Sequence, residues 1–178
     1  YQRHLRISPD RFTFINHHAA HAYSACVNLP ADRGSLIFTL DASGDNVCAT
    51  VNRYAGGELK TLSRNLRYPS LGTFYREVTA FLGMRPDEHE FKVMGLAPYA
   101  KSHDVERVLN KFRPLVWLND ALEFESQFPM EFMKYFLLRE CVYDRFDSVA
   151  GAAQAFLEER VVEWITRWIA RTGIRRIG

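Results

Sequence analysis

Cysteine is scarce in this chain of 178 residues. Cys26, Cys48 and Cys141 are odd in number and widely spaced, and no two of them form a C-x-x-C pair. The pattern argues against a disulfide framework of the kind found in small secreted domains, and against a cysteine-based zinc or redox motif. We therefore expect reduced thiols and a cytoplasmic protein.

Long apolar runs and blocks of one charge are also missing. No apolar stretch approaches the roughly 18 to 20 residues that a membrane-spanning helix needs. The 23 basic and 21 acidic residues give a formal net charge of +2, and no basic block is dense enough to mark a nucleic-acid groove. We expect neither a membrane nor a nucleic acid as a partner. The 47% hydrophobic content is that of a folded globular protein.

The hydrophobic periodicity predicts an α/β protein with the order β-α-β-β-β followed mostly by helices. Paired glycines at residues 55–58 suit a tight hairpin turn, and turn-forming residues also occupy positions 31–34 and 42–45. A further strand is expected to begin after Gly173. The predicted strands are 12–15, 35–41, 47–54 and 59–66, and the predicted helices are 17–28, 71–82, 90–96, 105–112, 130–138 and 148–172.

A histidine cluster opens the first predicted helix. His17 and His21 are four residues apart, so their rings lie on one face of a helix and can bind one metal ion. Asp41, at the end of an apolar strand, offers an oxygen ligand, and such a mixed set suits iron, manganese or zinc. A surface or capping role for the histidines is the competing interpretation. A zinc peptidase is rejected, because His18 stands where the H-E-x-x-H motif requires glutamate.

The segment from Asp41 to Asp45 has the composition of a phosphate-binding loop. Its small residues, Ser43 and Gly44 among them, would let backbone N–H groups approach an anion, and its two carboxylates could orient a metal, a water or a hydroxyl. An ordinary hairpin turn has the same composition. Its position some twenty residues after the histidines favours a functional site.

Two later segments add candidates for cofactor binding. Ser70-Leu71-Gly72 precedes a helix whose N-terminal amides could bind an anion, although a capped core helix explains the pattern equally well. Lys92 lies in an apolar segment, where burial of its charge would require an anionic partner. Exposure of the Lys92 ammonium group to solvent is the alternative.

Four ordered motifs carry a family resemblance. The segments NHHAAHA from Asn16, TLDASGD from Thr39, SLGTFY from Ser70 and EFKVMGLAPY from Glu90 resemble the O-carbamoyltransferases of the nodulation-protein and antibiotic-tailoring type. The resemblance implies part of an actin-like/sugar-kinase/Hsp70 ATPase (ribonuclease-H-like) fold, with a mixed sheet and packed helices. It further implies that residues 1–34 end a first sub-domain, and that residues 35–178 form most of a second, stopping before the adenosine-binding segment.

The resemblance also implies a reaction. Carbamoyl phosphate and ATP would yield a carbamoyl-adenylate, whose carbamoyl group passes to the hydroxyl of a small-molecule acceptor at a site with divalent iron. His17, His21 and Asp41 would be metal ligands, with Asp41 also contacting the adenylate. The 43–45 segment would lie at its phosphate, and Gly72 would line the nucleotide pocket. The rest of the site would come from the remainder of the protein, so we expect this chain alone to be inactive.

One departure from the family pattern and three alternative functions accompany this interpretation. Ala42 stands where the family usually has glycine, which predicts a slightly different backbone path. A tRNA threonylcarbamoyl-transfer-like enzyme shares the paired histidines, and so do hydrogenase-maturation carbamoyltransferases, but the KVMGLA segment from Lys92 argues against both. A non-catalytic ATP-binding module remains as a reading from another class, although such modules hold their metal through phosphates and water and need no imidazole.

Overall fold

A computed structural model describes residues 8–30 and 33–178. The long strands are β1 (Ser35–Gly44), β2 (Val47–Ala55) and β3 (Glu58–Leu66), and a short hairpin consists of β4 (Val116–Leu118) and β5 (Phe124–Ser126). The α-helices are α1 (His17–Cys26), α2 (Leu71–Phe81), α3 (Glu90–Leu96), α4 (Ser102–Phe112), α5 (Met133–Glu140) and α6 (Phe146–Thr172). Short 3-10 turns occupy Pro9–Arg11, Ala97–Tyr99 and Met130–Phe132.

The sheet of β1, β2 and β3 is antiparallel and has two different faces. Leu36 and Phe38 of β1 pack into the large core built with the later helices, whereas Ile37 between them packs against α1. Successive side chains of a strand point to opposite faces, so this alternation places the sheet between α1 on one side and the other helices on the other.

Two-residue turns join the three strands. Asp45 and Asn46 have φ values of 52° and 64°, and Gly56 and Gly57 have 62° and 81°. Positive φ at both central residues is typical of the tight hairpin turn that matches the strand twist. The turn predicted at 55–58 is confirmed, whereas the loop predicted at 42–45 is wrong in extent, because β1 continues through Gly44.

Aromatic rings fill the core between the sheet and the helices. Phe74 of α2, Phe112 of α4 and Phe156 of α6 meet with ring centroids 4.9 to 6.3 Å apart. Trp164 contacts Phe38 and is 1% exposed. These contacts confirm that the apolar stripe of the last helix is core packing.

Several predicted elements need correction. Residues 12–15 form no strand in the structure; Phe14 is 93% exposed and lies against no partner strand among the described residues. The helix predicted at 130–138 begins as a 3-10 turn, and α5 continues to Glu140. The β4–β5 hairpin was not predicted. Ala31 and Asp32 of the turn predicted at 31–34 lie outside the described residues.

A mixed α/β architecture is confirmed, while the parallel part of the sheet is small. Ile177 forms a parallel bridge with Leu36, and the Leu36 N–H donates to the Arg176 carbonyl oxygen over 2.9 Å. This agrees with a strand expected after Gly173. The actin-like fold and the division at residue 34 stay predictions. In the part of the chain that the structure describes, no helix has the length and apolarity needed to cross a bilayer.

Candidate metal centre

The start of helix α1 at His17 is fixed by contacts with Asn16, Asp45 and Gly44. Asn16 caps the helix by accepting from the Ala19 N–H over 3.1 Å. The Asp45 carboxylate in the β1–β2 turn accepts from the backbone N–H of His17 over 2.7 Å and from Asn16 Nδ2 over 2.8 Å. A Cβ on Gly44 would lie 2.1 Å from a ring carbon of His17, so the absence of a side chain makes room for that ring.

Three metal-ligating side chains converge where α1 faces the end of β1. His17 Nε2 lies 2.7 Å from Asp41 Oδ2, and His21 Nε2 lies 3.6 Å from the same oxygen. The two Nε2 atoms are 3.2 Å apart. The side chains are 38%, 57% and 39% exposed for His17, His21 and Asp41, so the cluster is partly open to solvent.

A two-residue insertion in β1 sets the position of Asp41. Leu40 pairs with Ala49 and Gly44 pairs with Val47, so three residues of β1 oppose one residue of β2. A bulge of this kind bends the strand and re-aims its side chains, and such bulges occur often next to active sites. The bulge carries Asp41 toward α1 and leaves Ser43 exposed.

The start of helix α2 holds the bulge in place. The buried Ser70 hydroxyl accepts from the Thr73 N–H over 3.0 Å and lies 2.7 Å from the Ala42 carbonyl oxygen, to which it donates. A Cβ on Gly72 would lie 2.6 Å from the backbone nitrogen of Ala42, so only glycine allows this approach. The segment predicted as an anion-binding helix start therefore supports the Asp41 backbone.

The carboxyl group of Asp41 is held ionised by its surroundings. Partial burial favours its neutral form, but a hydrogen bond from His17, a second one from the Ala42 N–H and the two nearby imidazoles outweigh this, so the pKa of Asp41 is lowered. The Ala42 N–H donates to Asp41 Oδ1 over 2.7 Å, which leaves Oδ2 facing the histidines. An ionised carboxylate is the form that binds metal.

The donor set fits a divalent transition-metal ion. At bond lengths near 2.1 Å, ligand atoms around such an ion lie about 3.0 to 3.4 Å apart, and the three observed separations bracket that range. One ligand atom from each of His17, His21 and Asp41 can be chosen so that all lie within 4.8 Å of one another. Two imidazoles and one carboxylate with further positions open are typical of non-haem Fe(II) sites.

A pocket of about 390 Å³ adjoins Asp41. Burial, followed by the charges of Glu158 and Glu90, raises the pKa of the Tyr75 hydroxyl in this pocket to about 12, so the hydroxyl stays protonated. Tyr75 donates to Gln154 over 2.9 Å. The wall contains the carboxylates of Asp41, Asp87 and Glu90, the guanidinium of Arg76, and also Leu40, Ala42, Leu71, Gly72, Tyr75 and Leu157.

Comparison with known proteins identifies the family of this chain. The family model described as Carbamoyltransferase N-terminus matches residues 3–177. The chain belongs to this carbamoyltransferase family. It is 39% identical over 93 residues to nodulation protein NolNO of Sinorhizobium fredii, and the match covers 52% of the chain and 13% of that protein. It is 33% identical over 102 residues to nodulation protein NolO of Bradyrhizobium diazoefficiens, covering 57% and 18% respectively.

The chain thus spans less than a fifth of the length of these relatives in the matched regions. An uncharacterized protein of Methanocaldococcus jannaschii is also similar, with 28% identity over 95 residues, covering 53% of the chain and 18% of that protein. Membership of the carbamoyltransferase family agrees with the resemblance drawn from the four motifs.

The structure brings some of the predicted residues of this carbamoyltransferase domain together and separates others. His17, His21 and Asp41 form one cluster, and Gly72 lies against the backbone at Asp41. Asp45 uses one carboxylate oxygen to hold α1. Lys92 is exposed on α3, 5.8 Å from the Phe91 ring, and is not part of the pocket wall at Asp41.

The sequence analysis assigned no role to His18, which lies between the candidate ligands, and it did not select four residues of the pocket beside Asp41. His18 is 2% exposed and faces the sheet, so it is not a third histidine ligand. The pocket residues Tyr75, Arg76, Asp87 and Glu90 were not singled out either. The sequence could have indicated Tyr75, because it lies one helical turn beyond Gly72. No sequence pattern connects the loop residue Asp87 with Asp41.

Proposed function

We propose that this chain carries part of the reaction centre of an O-carbamoyltransferase that uses ATP and carbamoyl phosphate. In this reaction a carbamoyl-adenylate forms and its carbamoyl group passes to the hydroxyl of a small-molecule acceptor. The observation that carries the proposal is the convergence of His17, His21 and Asp41 in a chain of the carbamoyltransferase family.

The three side chains would hold a divalent metal ion, with iron as the best candidate for this donor set. Such an ion, when bound, acts as a Lewis acid that polarises a carbonyl group and stabilises negative charge developing on oxygen. Asp41 contributes a carboxylate that its neighbours keep ionised. His17 is held in its orientation by Asp45 and Gly44, so its Nε2 points at Asp41 without rearrangement of the helix.

The pocket beside Asp41 suits the neutral part of a nucleotide better than its phosphates. Asp87 and Glu90 are carboxylates that would repel phosphate but accept hydrogen bonds from ribose hydroxyls, and the Arg76 guanidinium in the same wall is paired with Glu77 over 3.2 Å. We therefore place the ribose in this pocket and the phosphate near the exposed Ser43 and the Gly44 backbone. Lys92 stays a predicted cofactor residue, and its exposure on α3 would let it bind a phosphate supplied from outside this pocket.

Other parts of the reaction would come from the remainder of the protein, because the relatives are much longer than this chain. Carbamoyl phosphate and the acceptor would bind with its help. We also propose a cytoplasmic location, since Cys26, Cys48 and Cys141 are free thiols.

Removal of the metal ligands tests the proposal. We expect His17→Ala and His21→Ala to lower Fe(II) affinity by more than the roughly 10- to 100-fold that loss of an outer partner of a ligand costs. Bound iron is measured anaerobically in the full-length protein. Transfer is measured in the full-length protein as label moved from carbamoyl phosphate to the hydroxyl product, and it should be abolished.

His103→Ala is the matched control, because it removes an exposed imidazole from α4. It should leave both iron binding and transfer unchanged. If the double variant His17→Ala/His21→Ala retained bound iron and carbamoyl transfer, the metal assignment would be wrong.

A further inference from the structure

The histidine between the two ligands is anchored in the sheet. His18 Nδ1 lies 2.7 Å from the Thr39 hydroxyl, and His18 Nε2 donates to the Val47 carbonyl oxygen over 2.9 Å. The ring centroids of His17 and His18 are 5.2 Å apart. His18 thus connects the ligand-bearing turn of α1 directly to β1 and β2.

The anchor continues through a chain of polar side chains on the same face of the sheet. Thr39 and Thr50 hydroxyl oxygens are 2.7 Å apart, Asn52 Nδ2 donates to Thr50 over 2.8 Å, and Thr61 donates to Asn52 Oδ1 over 2.8 Å. Strand pairing aligns Thr39 with Thr50 and Asn52 with Thr61. Four side chains from three strands therefore line up behind His18.

For a neutral His18 ring, the bond to Val47 sets the direction of the other hydrogen bonds in this chain. The Val47 carbonyl oxygen cannot donate, so His18 Nε2 carries the hydrogen, and in the neutral ring Nδ1 accepts from Thr39. Thr39 then accepts from the Thr50 hydroxyl, which in turn accepts from Asn52. All the donors point toward His18, and one tautomer and one ring orientation satisfy the whole chain.

Apolar packing gives the first turn of α1 little support. The apolar cluster beneath this helix consists of Ala22, Cys26 and Ile37, with partly buried neighbours, and its two α1 members lie in the second and third turns. In the first turn the buried side chain is that of His18. The position of the ligand-bearing turn over Asp41 therefore depends on hydrogen bonds rather than on hydrophobic burial.

We infer that His18 is a positioning residue that holds His17 and His21 over Asp41, with the Thr39–Thr50–Asn52 chain fixing its ring. The inference rests on the proposed metal centre and goes beyond it, because His18 itself binds no metal. Hydrogen-bonded partners outside the ligand shell commonly orient ligands and tune metal affinity. Here His18 would orient the two ligands through the backbone of α1, not through a hydrogen bond to a ligand nitrogen.

Two substitutions at His18 separate positioning from packing. His18→Leu fills the space but removes both hydrogen bonds, whereas the amide of His18→Gln can accept from Thr39 and donate to Val47. We expect His18→Leu to lower the Co(II) affinity of the full-length protein by about 10- to 100-fold. His18→Gln should restore most of that affinity. The visible absorption spectrum of the saturated Co(II) complex, which reports ligand geometry, should change in His18→Leu and return toward wild type in His18→Gln.

Cys26→Ala is the matched control, since Cys26 is a second buried α1 residue that faces the sheet. It should lower thermal stability while leaving the Co(II) spectrum at saturation unchanged. Equal affinity and an unchanged spectrum in His18→Leu would overturn the positioning role. Failure of the full-length wild-type protein to bind Co(II) or Fe(II) would instead overturn the metal centre, and the inference with it.

Discussion

The absence of a side chain at Gly44 leaves room for the imidazole of His17. Ring and Cβ atoms of His17 lie 2.1 to 2.7 Å from where a Cβ would stand, which is well inside van der Waals contact. The next residue, Asp45, accepts a hydrogen bond from the backbone N–H of His17. The two residues together form a socket that positions the ring of His17, a candidate metal ligand.

The substitution Gly44→Ala tests this socket. The added methyl group must displace the His17 ring or shift the β1–β2 turn, and overpacking of this kind costs about 1 to 3 kcal/mol. We expect a lower free energy of unfolding in urea and at least about a tenfold loss of Fe(II) affinity, comparable to the loss of an outer hydrogen-bond partner.

Gly95→Ala is the control for that experiment, because a Cβ at Gly95 in helix α3 meets no atom within 4 Å. Alanine should stabilise a helix interior by about 0.5 to 1 kcal/mol relative to glycine and should leave metal binding unaltered. Wild-type iron affinity in Gly44→Ala would contradict the socket.

Residue types and spacing were enough to predict that the three candidate ligands converge, but not which residues support them. The spacing of His17 and His21 predicts one helical face, and the convergence with Asp41 agrees with it. The burial of His18 depends on which face of the helix meets the sheet, and this is a tertiary contact that a segment rich in alanine does not specify. Asp45 shows the same limit, because its partner lies 28 residues away in the chain.

At the scale of elements, the irregular end of β1 and the start of α2 work as a unit. The bulge leaves the carbonyl groups of Asp41 and Ala42 without ladder partners in the sheet, and buried carbonyl groups need a donor. Ser70 and Thr73 of α2 supply hydroxyl donors to the Ala42 oxygen at 2.7 and 3.3 Å. Ser70 therefore caps α2 and also satisfies a carbonyl group in the bulge of β1.

Ser70→Ala should damage both elements together. Loss of an N-cap side chain costs about 1 kcal/mol, and a carbonyl left short of a partner adds a cost of about 1 to 3 kcal/mol. We expect a lower melting temperature, measured by circular dichroism, and weaker iron binding as the Asp41 backbone relaxes.

Ser24→Ala, which removes an exposed hydroxyl bonded to the Ala20 carbonyl in α1, provides the comparison. Its effect should stay within about 0.5 kcal/mol, as for most surface substitutions. If Ser70→Ala were as mild as Ser24→Ala, the coupling between bulge and helix would be absent.

Element prediction succeeded where periodicity was strong and failed where partners decided the outcome. The strands β2 and β3 and the helix α6 have clear patterns and agree with prediction within two residues at each end, whereas β1 runs three residues further than predicted. Residues 12–15 have β-prone side chains but meet no neighbouring strand in the described structure. The β4–β5 hairpin consists of strands of three residues, too short for a period to show, and it forms because Phe124 and Leu118 reach the core.

For the molecule as a whole, one nearly buried carboxylate links α4 to the connection between α5 and α6. Asp144, between α5 and α6, is 4% exposed and accepts from Arg107 and from Lys111 of α4, the latter over 2.9 Å. Lys111 also donates to the Glu140 carbonyl oxygen at the end of α5. Burial favours the neutral carboxyl group, but the hydrogen bonds from Lys111 and Arg107 and their charges prevail, so the pKa of Asp144 is lowered.

This shift predicts how stability depends on pH. A carboxyl group with a lowered pKa in the folded state stabilises the fold above its unfolded pKa of about 3.9, and this stabilisation is lost as the pH falls through the folded pKa. Asp144→Asn should therefore cost about 1.5 to 3 kcal/mol near pH 7. The cost should shrink toward zero in acid, as measured by urea unfolding across the pH range.

The exposed ion pair of Glu88 with Arg85 offers a reference. Glu88→Gln should change stability by less than about 1 kcal/mol at neutral pH, since solvent screens such pairs. A difference between wild type and Asp144→Asn that stayed constant down to strongly acidic pH would contradict the linkage.

The bridge between Leu36 and Ile177 also bears on association between molecules. A free strand edge offers unpaired N–H and C=O groups to another chain and so invites aggregation. The N–H groups of Leu36 and Phe38 are instead satisfied by the carbonyl oxygens of Arg176 and Gly178, and the bulge distorts the rest of this edge. The opposite edge strand, β3, carries the charges of Glu58, Lys60 and Arg64. The same bulge that positions Asp41 thus also protects the sheet from pairing with a second molecule.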